Sequence, residues 1–235
     1  MYGMMIFLFV FGLIIGSFLN VIIYRLPRGM SIVLPRSHCP ACSHRLGAKD
    51  LIPLFSFIFQ KGRCRYCGAI IPWRYPVVEL LTGILTVLWW IQYGIDIYGI
   101  TVLLLTYGLI AIAFIDLEHM MIPDWLTIPL LLAGLSLRLT QGEILPSLSG
   151  ALTGGLILSL IAIVYPQGMG WGDVKLLGMV GAFLDWRRVL YVLFLGSLSG
   201  TLTMLPLTII KKVDGKTRIP FGPFLVLAAL AILYW

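Results

Sequence analysis

Carboxylates are scarce in this chain, and two groups of them stand inside apolar sequence. Of the 235 residues, 60% are hydrophobic and 11% are charged. The first group is AFIDLEHMMIPD (113–124), with acidic or titratable side chains at Asp116, Glu118, His119 and Asp124, and the second is GMGWGD, which ends in Asp173. Charges placed against lipid are costly, so such residues usually face the interior of a helix bundle and mark function.

A pair of aspartates has a definite chemistry. Two carboxylates brought together cannot both ionise easily, so near neutrality the pair shares a proton. The ionised member takes a proton from a water, and the neutral member polarises the carbonyl of a peptide bond. The water then attacks without a covalent acyl-enzyme, which fits a chain whose hydroxyls in apolar runs have no base at positions evident in the sequence.

Three glycines, Gly168, Gly170 and Gly172, stand just before Asp173. They remove side chains, permit positive φ and let an extended substrate backbone approach the carboxylate. The alternative is a glycine-rich loop that starts a helix, with Asp173 as its N-cap or a first-turn residue. Spacing alone does not choose between these interpretations.

Eight apolar runs are candidates for the elements that position these carboxylates. Runs of about 20 apolar residues span a bilayer as helices, and only the sixth run is short. The predicted spans are 4–24, 76–93, 97–115, 122–139, 146–165, 173–185, 188–210 and 219–235. The sequence therefore predicts an all-α polytopic membrane protein with about eight transmembrane helices.

Basic residues orient these spans. With the N-terminus outside, the inner loops 25–75, 166–175 and 211–218 hold fourteen of the 17 lysines and arginines, as the positive-inside rule expects. This topology explains the net charge of +7, so no nucleic-acid partner is expected. It also places Asp116 and Asp173 at inner helix ends, at one depth.

All four cysteines lie in the inner segment, as two CxxC pairs: Cys39 with Cys42, and Cys64 with Cys67. Such pairs supply four thiolates to a tetrahedral Zn²⁺, although the 21 residues between them lie just past the usual spacing. The alternatives are two disulfides or four free thiols, and a reducing cytosol argues against disulfides.

A zinc ion with four protein ligands has no position for a reactive water, so the predicted zinc is structural. It would stabilise an insert of about 50 residues that cannot build a hydrophobic core alone. His38 and His44 flank the first pair as alternative ligands. We interpret them as exposed loop histidines.

Six motifs follow one another along the chain: GSFLNVIIYRLP (16–27), the paired CPAC and CRYC, RYPVVELLTG (74–83), FIDLEHMMIPD (114–124), GMGWGDVKL (168–176) and IPFGPFL (219–225). In this order they resemble the motifs of the bacterial type IV prepilin peptidases, also called prepilin leader peptidase/N-methyltransferases, which are GxGD-type membrane aspartyl proteases. The resemblance covers nearly the whole chain.

The resemblance implies that Asp116 and Asp173 are the catalytic pair, because the family's first aspartate occupies the FID position. Asp124 is then secondary, and Glu118 and His119 modify the local field.

Other residues of the implied site receive lesser roles. Gly170 and Gly172 would give room to the substrate. Lys175 lies two residues beyond Asp173, on a different helix face, and is interpreted as a snorkelling anchor.

The implied substrate is a type IV prepilin or a type II secretion pseudopilin, cleaved at the cytoplasmic face of the inner membrane. The implied second activity is N-methylation of the new N-terminus with S-adenosylmethionine. The expected site of this methylation is the insert with the first helix and Glu79. Glu79 stands at a helix start, so it could instead pair with Arg74 or be stabilised there by the helix dipole.

The predicted parts are thus a first transmembrane helix (1–24), a cytoplasmic zinc-binding domain (25–75) and a seven-helix membrane aspartyl protease domain (76–235). Three alternatives stay open: a protease without methylase activity, a transporter with an aspartate proton relay, and a scaffold with a zinc-ribbon partner site.

Overall fold

The computed structural model describes residues 2–166, 168–211 and 219–235, and for 207–211 the backbone alone. These ranges contain nine α-helices and no strand, apart from isolated bridges in the cysteine-containing insert. The helices are α1 Tyr2–Arg25, α2 Phe55–Phe59, α3 Arg74–Tyr93, α4 Ile97–His119, α5 Asp124–Thr140, α6 Ile144–Val164, α7 Trp171–Phe183, α8 Trp186–Lys211 and α9 Gly222–Tyr234.

Each predicted span coincides with one of the helices α1 and α3–α9, and the all-α polytopic fold is confirmed. Five of them, α1, α3, α4, α6 and α8, are long and apolar enough to cross a membrane. Helices α5, α7 and α9 have 17, 13 and 13 residues. At 1.5 Å per residue α7 is about 20 Å long, less than the roughly 30 Å of a hydrocarbon core. The number of eight spans stays a prediction.

The chain forms two compact units, and the first is Met1–Ile95. Here α1 packs along α3 at very short range: a Cβ added to Gly16 would lie 2.7 Å from the Cα of Glu79. The amide Nδ2 of Asn20 donates to the carbonyl oxygen of Tyr75 (3.1 Å) and ties the two helices together. The cysteine-containing insert and α2 lie between these helices in the chain.

The second unit, Asp96–Trp235, is built around α4 and α7. Leu105, Leu109 and Ile112 of α4 are fully buried, and so is every residue of α7 from 176 to 183. A helix that is apolar all round is stable when other helices enclose it. The two core helices of this unit are therefore those that carry Asp116 and Asp173.

The helix ends of the second unit have identifiable stop and start signals. The Asp96 side chain accepts the N–H of Gly99 (2.6 Å) at the start of α4. Met120, with φ of 51°, turns the chain out of α4 and donates its N–H to the carbonyl of Asp116. Pro223 occupies the first turn of α9, where its missing N–H costs nothing.

The boundary between the units falls after Ile95, and the predicted parts 1–24, 25–75 and 76–235 stay a prediction. The structure groups the second predicted span with the first, because α3 packs against α1. Of the predicted inner loop 211–218, residues 212–218 lie outside the described residues.

Helix α6 offers a matched test of close packing. A Cβ on Gly150 would overlap the carbonyl oxygens of Gly181 and Leu184, whereas a Cβ on Gly155 meets nothing within 4 Å. We expect Gly150→Ala to destabilise the protein by about 1–3 kcal/mol through overpacking. Gly155→Ala should be neutral or stabilising by up to about 1 kcal/mol through helix propensity.

Thermal unfolding in detergent measures the difference between these two variants. Equal unfolding temperatures for Gly150→Ala and Gly155→Ala would contradict the backbone contact between α6 and α7.

Candidate active site and metal centre

Asp116 lies at the end of α4 and is buried, with 5% of its surface exposed. Its Oδ2 accepts the backbone N–H of Gly222 (3.1 Å), the first residue of α9. A helix N-terminus favours a carboxylate, because its N–H groups are free and its dipole end is positive. A Cβ on Gly222 would lie 2.6 Å from the same oxygen, so the close approach requires glycine.

Asp173 lies in the first turn of α7, and its backbone N–H donates to the carbonyl of Gly170 (3.2 Å). Gly170 is the N-cap, so the N-cap alternative for Asp173 is wrong and the first-turn position is correct. Its Oδ1 is buried and has no hydrogen-bond partner among the described residues. A buried acceptor without a donor costs about 1–3 kcal/mol, which calls for a ligand or a water to explain it.

The structure brings the two aspartates together at one end of the second unit. Asp116 is near enough to repel Asp173 electrostatically. Ile122 packs between the starts of α7 and α9. Its Cβ would lie 3.0 Å from a Cβ added to Gly172 of α7, and its Cδ1 would lie 3.3 Å from one added to Gly222 of α9. The start of α7, which carries Asp173, and the start of α9, which donates to Asp116, therefore pack against one apolar side chain.

The glycines before Asp173 act differently from the expectation. None of Gly168, Gly170 and Gly172 has a left-handed backbone, so the positive φ that glycine permits is not used here. Gly170 is extended, with φ of −84° and ψ of 144°. The nearest atom to an added Cβ there is Oδ2 of Asp173 itself, at 3.5 Å. Gly172 instead gives room to Ile122.

The other predicted site-lining residues have partners of their own. Lys175 donates to both carboxylate oxygens of Asp124 (2.7 and 2.9 Å), which joins the start of α5 to α7. The interpretation of Lys175 as a snorkelling anchor does not include this pairing with Asp124. Glu118 is exposed at the end of α4, and its Oε2 lies 3.9 Å from Nε2 of the half-buried His119.

The four cysteine sulfurs form one cluster, with every Sγ within 4.8 Å of the others. The Sγ atoms of Cys39 and Cys67 are 3.9 Å apart. A tetrahedral zinc with Zn–S bonds of about 2.3 Å places its sulfurs about 3.8 Å apart. None of the four cysteines forms a disulfide, so the disulfide alternative is wrong, and the donor set fits zinc.

Each CxxC pair forms the same tight turn. Ser43 donates its N–H to the carbonyl of Cys39 (2.8 Å), and Gly68 donates to Cys64 (2.9 Å). Both residues have left-handed backbone, with φ of 57° and 73°. Glycine signals this turn in the second pair, whereas Ser43 gives no such signal in the first.

The thiols of the second pair differ in acidity. The N–H groups of Tyr66 and Cys67 stabilise the Cys64 thiolate and lower the pKa of Cys64 to about 7. The N–H of Ala69 lowers the pKa of Cys67, but burial and the neighbouring thiols raise it, to about 12. A second thiolate beside that of Cys64 is disfavoured, and a cation bound by the sulfurs would relieve this repulsion.

Neither histidine of the insert is in the cluster. The His44 ring stacks on Tyr66, with centroids 3.6 Å apart, and His38 is hydrogen-bonded to the carbonyl of Arg36. His44 agrees with the interpretation as an exposed loop histidine, whereas His38 lies in a loop but is half-buried.

The first unit contains a cavity of about 380 Å³ between α1, the insert and α3. Glu79, 7% exposed, is on its wall, and its Oε2 accepts the N–H of Leu54 (2.8 Å) while Ser17 bonds the same carboxylate. Sequence reasoning assigned neither partner. The polar lining includes Ser17, Asn20, Tyr24, Ser56, Tyr75 and Glu79.

Two further polar residues near this cavity were missed. The Asp50 carboxylate, 3% exposed, accepts from Gly47, Gln60 and Tyr66 and pairs with Arg65. Asn20 uses its Nδ2 on two carbonyls, and its buried Oδ1 has no partner in the described residues. An asparagine inside an apolar helix is the only sequence signal for it.

Fold and site together define a polytopic helical membrane protein with two aspartates on its core helices, Asp116 buried and Asp173 half-buried, and a separate cysteine cluster. The family model described as the bacterial peptidase A24 N-terminal domain matches residues 10–93, and that of the type IV leader peptidase family matches 103–205. No solved structure matches the chain significantly.

Curated relatives give the same result, and each is named prepilin leader peptidase/N-methyltransferase. The relative from Aeromonas salmonicida is 38% identical over 97% of this chain and 89% of its own length. That from Pseudomonas aeruginosa is 36% identical over 95% and 88%, and that from Myxococcus xanthus is 43% identical over 83% and 60%. The chain therefore belongs to the type IV leader peptidase family, and it is a membrane peptidase.

The cysteine cluster predicts one zinc per chain. We expect Cys42→Ser to reduce bound zinc from about one equivalent to near zero, because a tetrahedral site with three thiolates is incomplete. His44→Ala removes only the stack on Tyr66 and should keep the metal. Elemental analysis of the purified proteins measures both, and a metal-free wild type would refute the site.

The ion pair between Asp124 and Lys175 predicts a structural role for Asp124. Both side chains are about half exposed, so breaking the pair with Asp124→Asn or Lys175→Gln should cost less than about 1 kcal/mol. The exchange Asp124→Lys with Lys175→Asp should recover the loss. Thermal unfolding of the double-mutant cycle measures the coupling.

Peptidase activity provides the decisive comparison for Asp124. If Asp124→Asn abolished activity while Lys175→Gln left it intact, Asp124 would belong to the chemistry.

Proposed function

We propose that this chain removes the leader peptides of prepilins or pseudopilins with Asp116 and Asp173 as its catalytic pair. Support comes from the activities that the names of its relatives give and from one observation above all. A buried carboxylate repels a second one whose Oδ1 is buried without a donor. Such an arrangement is costly unless a ligand or a water uses it.

The proposed reaction is the hydrolysis of one peptide bond. The ionised aspartate takes a proton from a water while the protonated one donates a hydrogen bond to the scissile carbonyl oxygen. The water oxygen bonds to the carbonyl carbon, and the C–N bond then breaks with a proton delivered to the leaving amine. The N–H of Gly222 holds the Asp116 carboxylate in place throughout.

We propose the inner membrane as the location, with the N-terminus outside and the cysteine insert in the cytoplasm. The distribution of basic residues supports this topology. It keeps the basic leader of a prepilin on the cytoplasmic side, close to the aspartates at inner helix ends. Zinc would be structural there, because four protein thiolates complete its coordination.

We propose that the cavity of the first unit is the methyltransferase site. Its volume of about 380 Å³ lies in the range of small-molecule sites, roughly 300–1,000 Å³. S-adenosylmethionine fits the polar groups on its wall: the molecule brings N–H and O–H donors for the orphan Oδ1 of Asn20, and its cationic sulfonium suits Glu79. When bound, it supplies the methyl group.

The residues of this chain would have defined roles in methylation. Glu79 is fixed by Leu54 and Ser17 and would attract the cationic ligand. Asn20 would accept a hydrogen bond from it. The alternative is a peptidase whose insert only holds the substrate.

Incubation of the purified protein with a prepilin and methyl-labelled S-adenosylmethionine tests both activities. We expect the wild type to cleave and label the pilin. Asp116→Asn and Asp173→Asn should each slow cleavage at least about 100-fold, because each removes an acid–base partner. Glu79→Gln should still cleave the pilin but label it poorly.

Asp185→Asn is the matched control, since that half-buried carboxylate accepts backbone N–H groups at the start of α8 and pairs with Arg188 of the same helix (3.7 Å). It should cleave and label like the wild type. Full cleavage by either active-site variant would refute the catalytic pair. A cleaved but unlabelled pilin with the wild type would establish the peptidase-only alternative.

A further inference from the structure

The segment LIPLFSFIF, residues 51–59, has an apolar surface although it belongs to the insert and not to a membrane helix. It carries no charge over nine residues. Its exposed fractions are large: 56% for Phe55, 66% for Ile58 and 80% for Phe59. Soluble surfaces rarely expose a continuous apolar patch of this kind, so it marks contact with a partner or with lipid.

Two contacts fix the depth of this segment relative to α3. The N–H of Leu54, just before α2, donates to Glu79 (2.8 Å). Glu79 is the sixth residue of α3, about 8 Å along the axis from its start at Arg74. The Phe57 ring lies against Trp73, with centroids 5.0 Å apart. Helix α2 therefore lies beside the first two turns of a helix that is apolar enough to span a membrane.

The residues around α2 match a bilayer boundary. Trp73, 74% exposed, directly precedes α3, at the position where tryptophan marks the interface of a membrane span. Lys61 and Arg63 follow α2 and are exposed. Apolar side chains at this depth, followed by basic ones, are typical of interfacial segments that bind anionic lipid.

We propose that residues 51–59 are an interfacial anchor, with Phe55, Ile58 and Phe59 inserted at the boundary between headgroups and acyl chains. The turns of α3 that α2 accompanies also expose apolar side chains, Val77, Leu80 and Leu81, so the occupant of the patch is the bilayer. The insert is then a membrane-bound domain, held down beside the cavity that Ser56 and Phe57 line. This anchor depends on α3 crossing the membrane and not on either enzymatic activity.

Photo-crosslinking of the full chain in nanodiscs that contain phosphatidylglycerol tests this anchor. The photoreactive p-benzoyl-phenylalanine replaces one residue at a time: Phe59 in the anchor, Leu88 on the exposed side of α3 as positive control, and Tyr66 in the second cysteine turn as negative control. Irradiation followed by mass spectrometry of the protein detects added phospholipid. Zinc content checks that the insert is folded.

We expect phospholipid adducts at position 59 in a yield within about threefold of position 88, and at least tenfold above position 66. Lipid adducts at 88 but not at 59 would overturn the anchor. Equal yields at 59 and 66 would overturn it as well, because the anchor would then be no more lipid-exposed than the cysteine turn. Replacement of lipid adducts at 59 by prepilin adducts on adding substrate would assign the patch to a protein partner instead.

Discussion

The hydrogen bond from the Gly222 N–H to Asp116 is the contact on which the second unit depends. It joins residues 106 positions apart and pairs a buried carboxylate with the positive end of α9. Without that donor, Asp116 would be a buried charge in an apolar core, which is costly. The contact also brings Gly222 against Ile122, and Ile122 against Gly172, so the start of α7 and Asp173 are positioned through the same cluster.

Close backbone approach is the second constraint, and it operates in both units. Gly16 lets α1 reach the backbone of α3 at Glu79, and Gly150 lets α6 reach α7 at Gly181. Helices in lipid gain little from the hydrophobic effect, so small residues that permit dense packing supply much of their association. In the first unit, the Glu79 carboxylate of α3 is thereby enclosed by α1.

Features set by local sequence could be predicted, and those set by distant contacts could not. Apolar run length gave the helices, because it depends on residues near in sequence. The sulfur cluster is the exception: Cys39 and Cys67 are 28 positions apart, but two CxxC pairs identify each other as ligands of one metal. The pairing of Lys175 with Asp124 crosses 51 positions, and that of Leu54 with Glu79 crosses 25. Nothing in either local pattern selects the partner. The left-handed Ser43 was hidden for a different reason, since serine does not mark that conformation.

Hydrogen-bond saturation separates the carboxylates of this protein into two kinds. A carboxylate has about four acceptor positions. Asp50 receives three donors and an ion pair, and Asp124 is held by the Lys175 ammonium, so acceptor positions of both are engaged by the protein itself. Asp116 receives one backbone N–H, and Oδ1 of Asp173 receives none. Carboxylates that are fixed in place yet still able to accept protons or donors are those suited to acid–base chemistry, which is why the proposed catalytic pair falls on them.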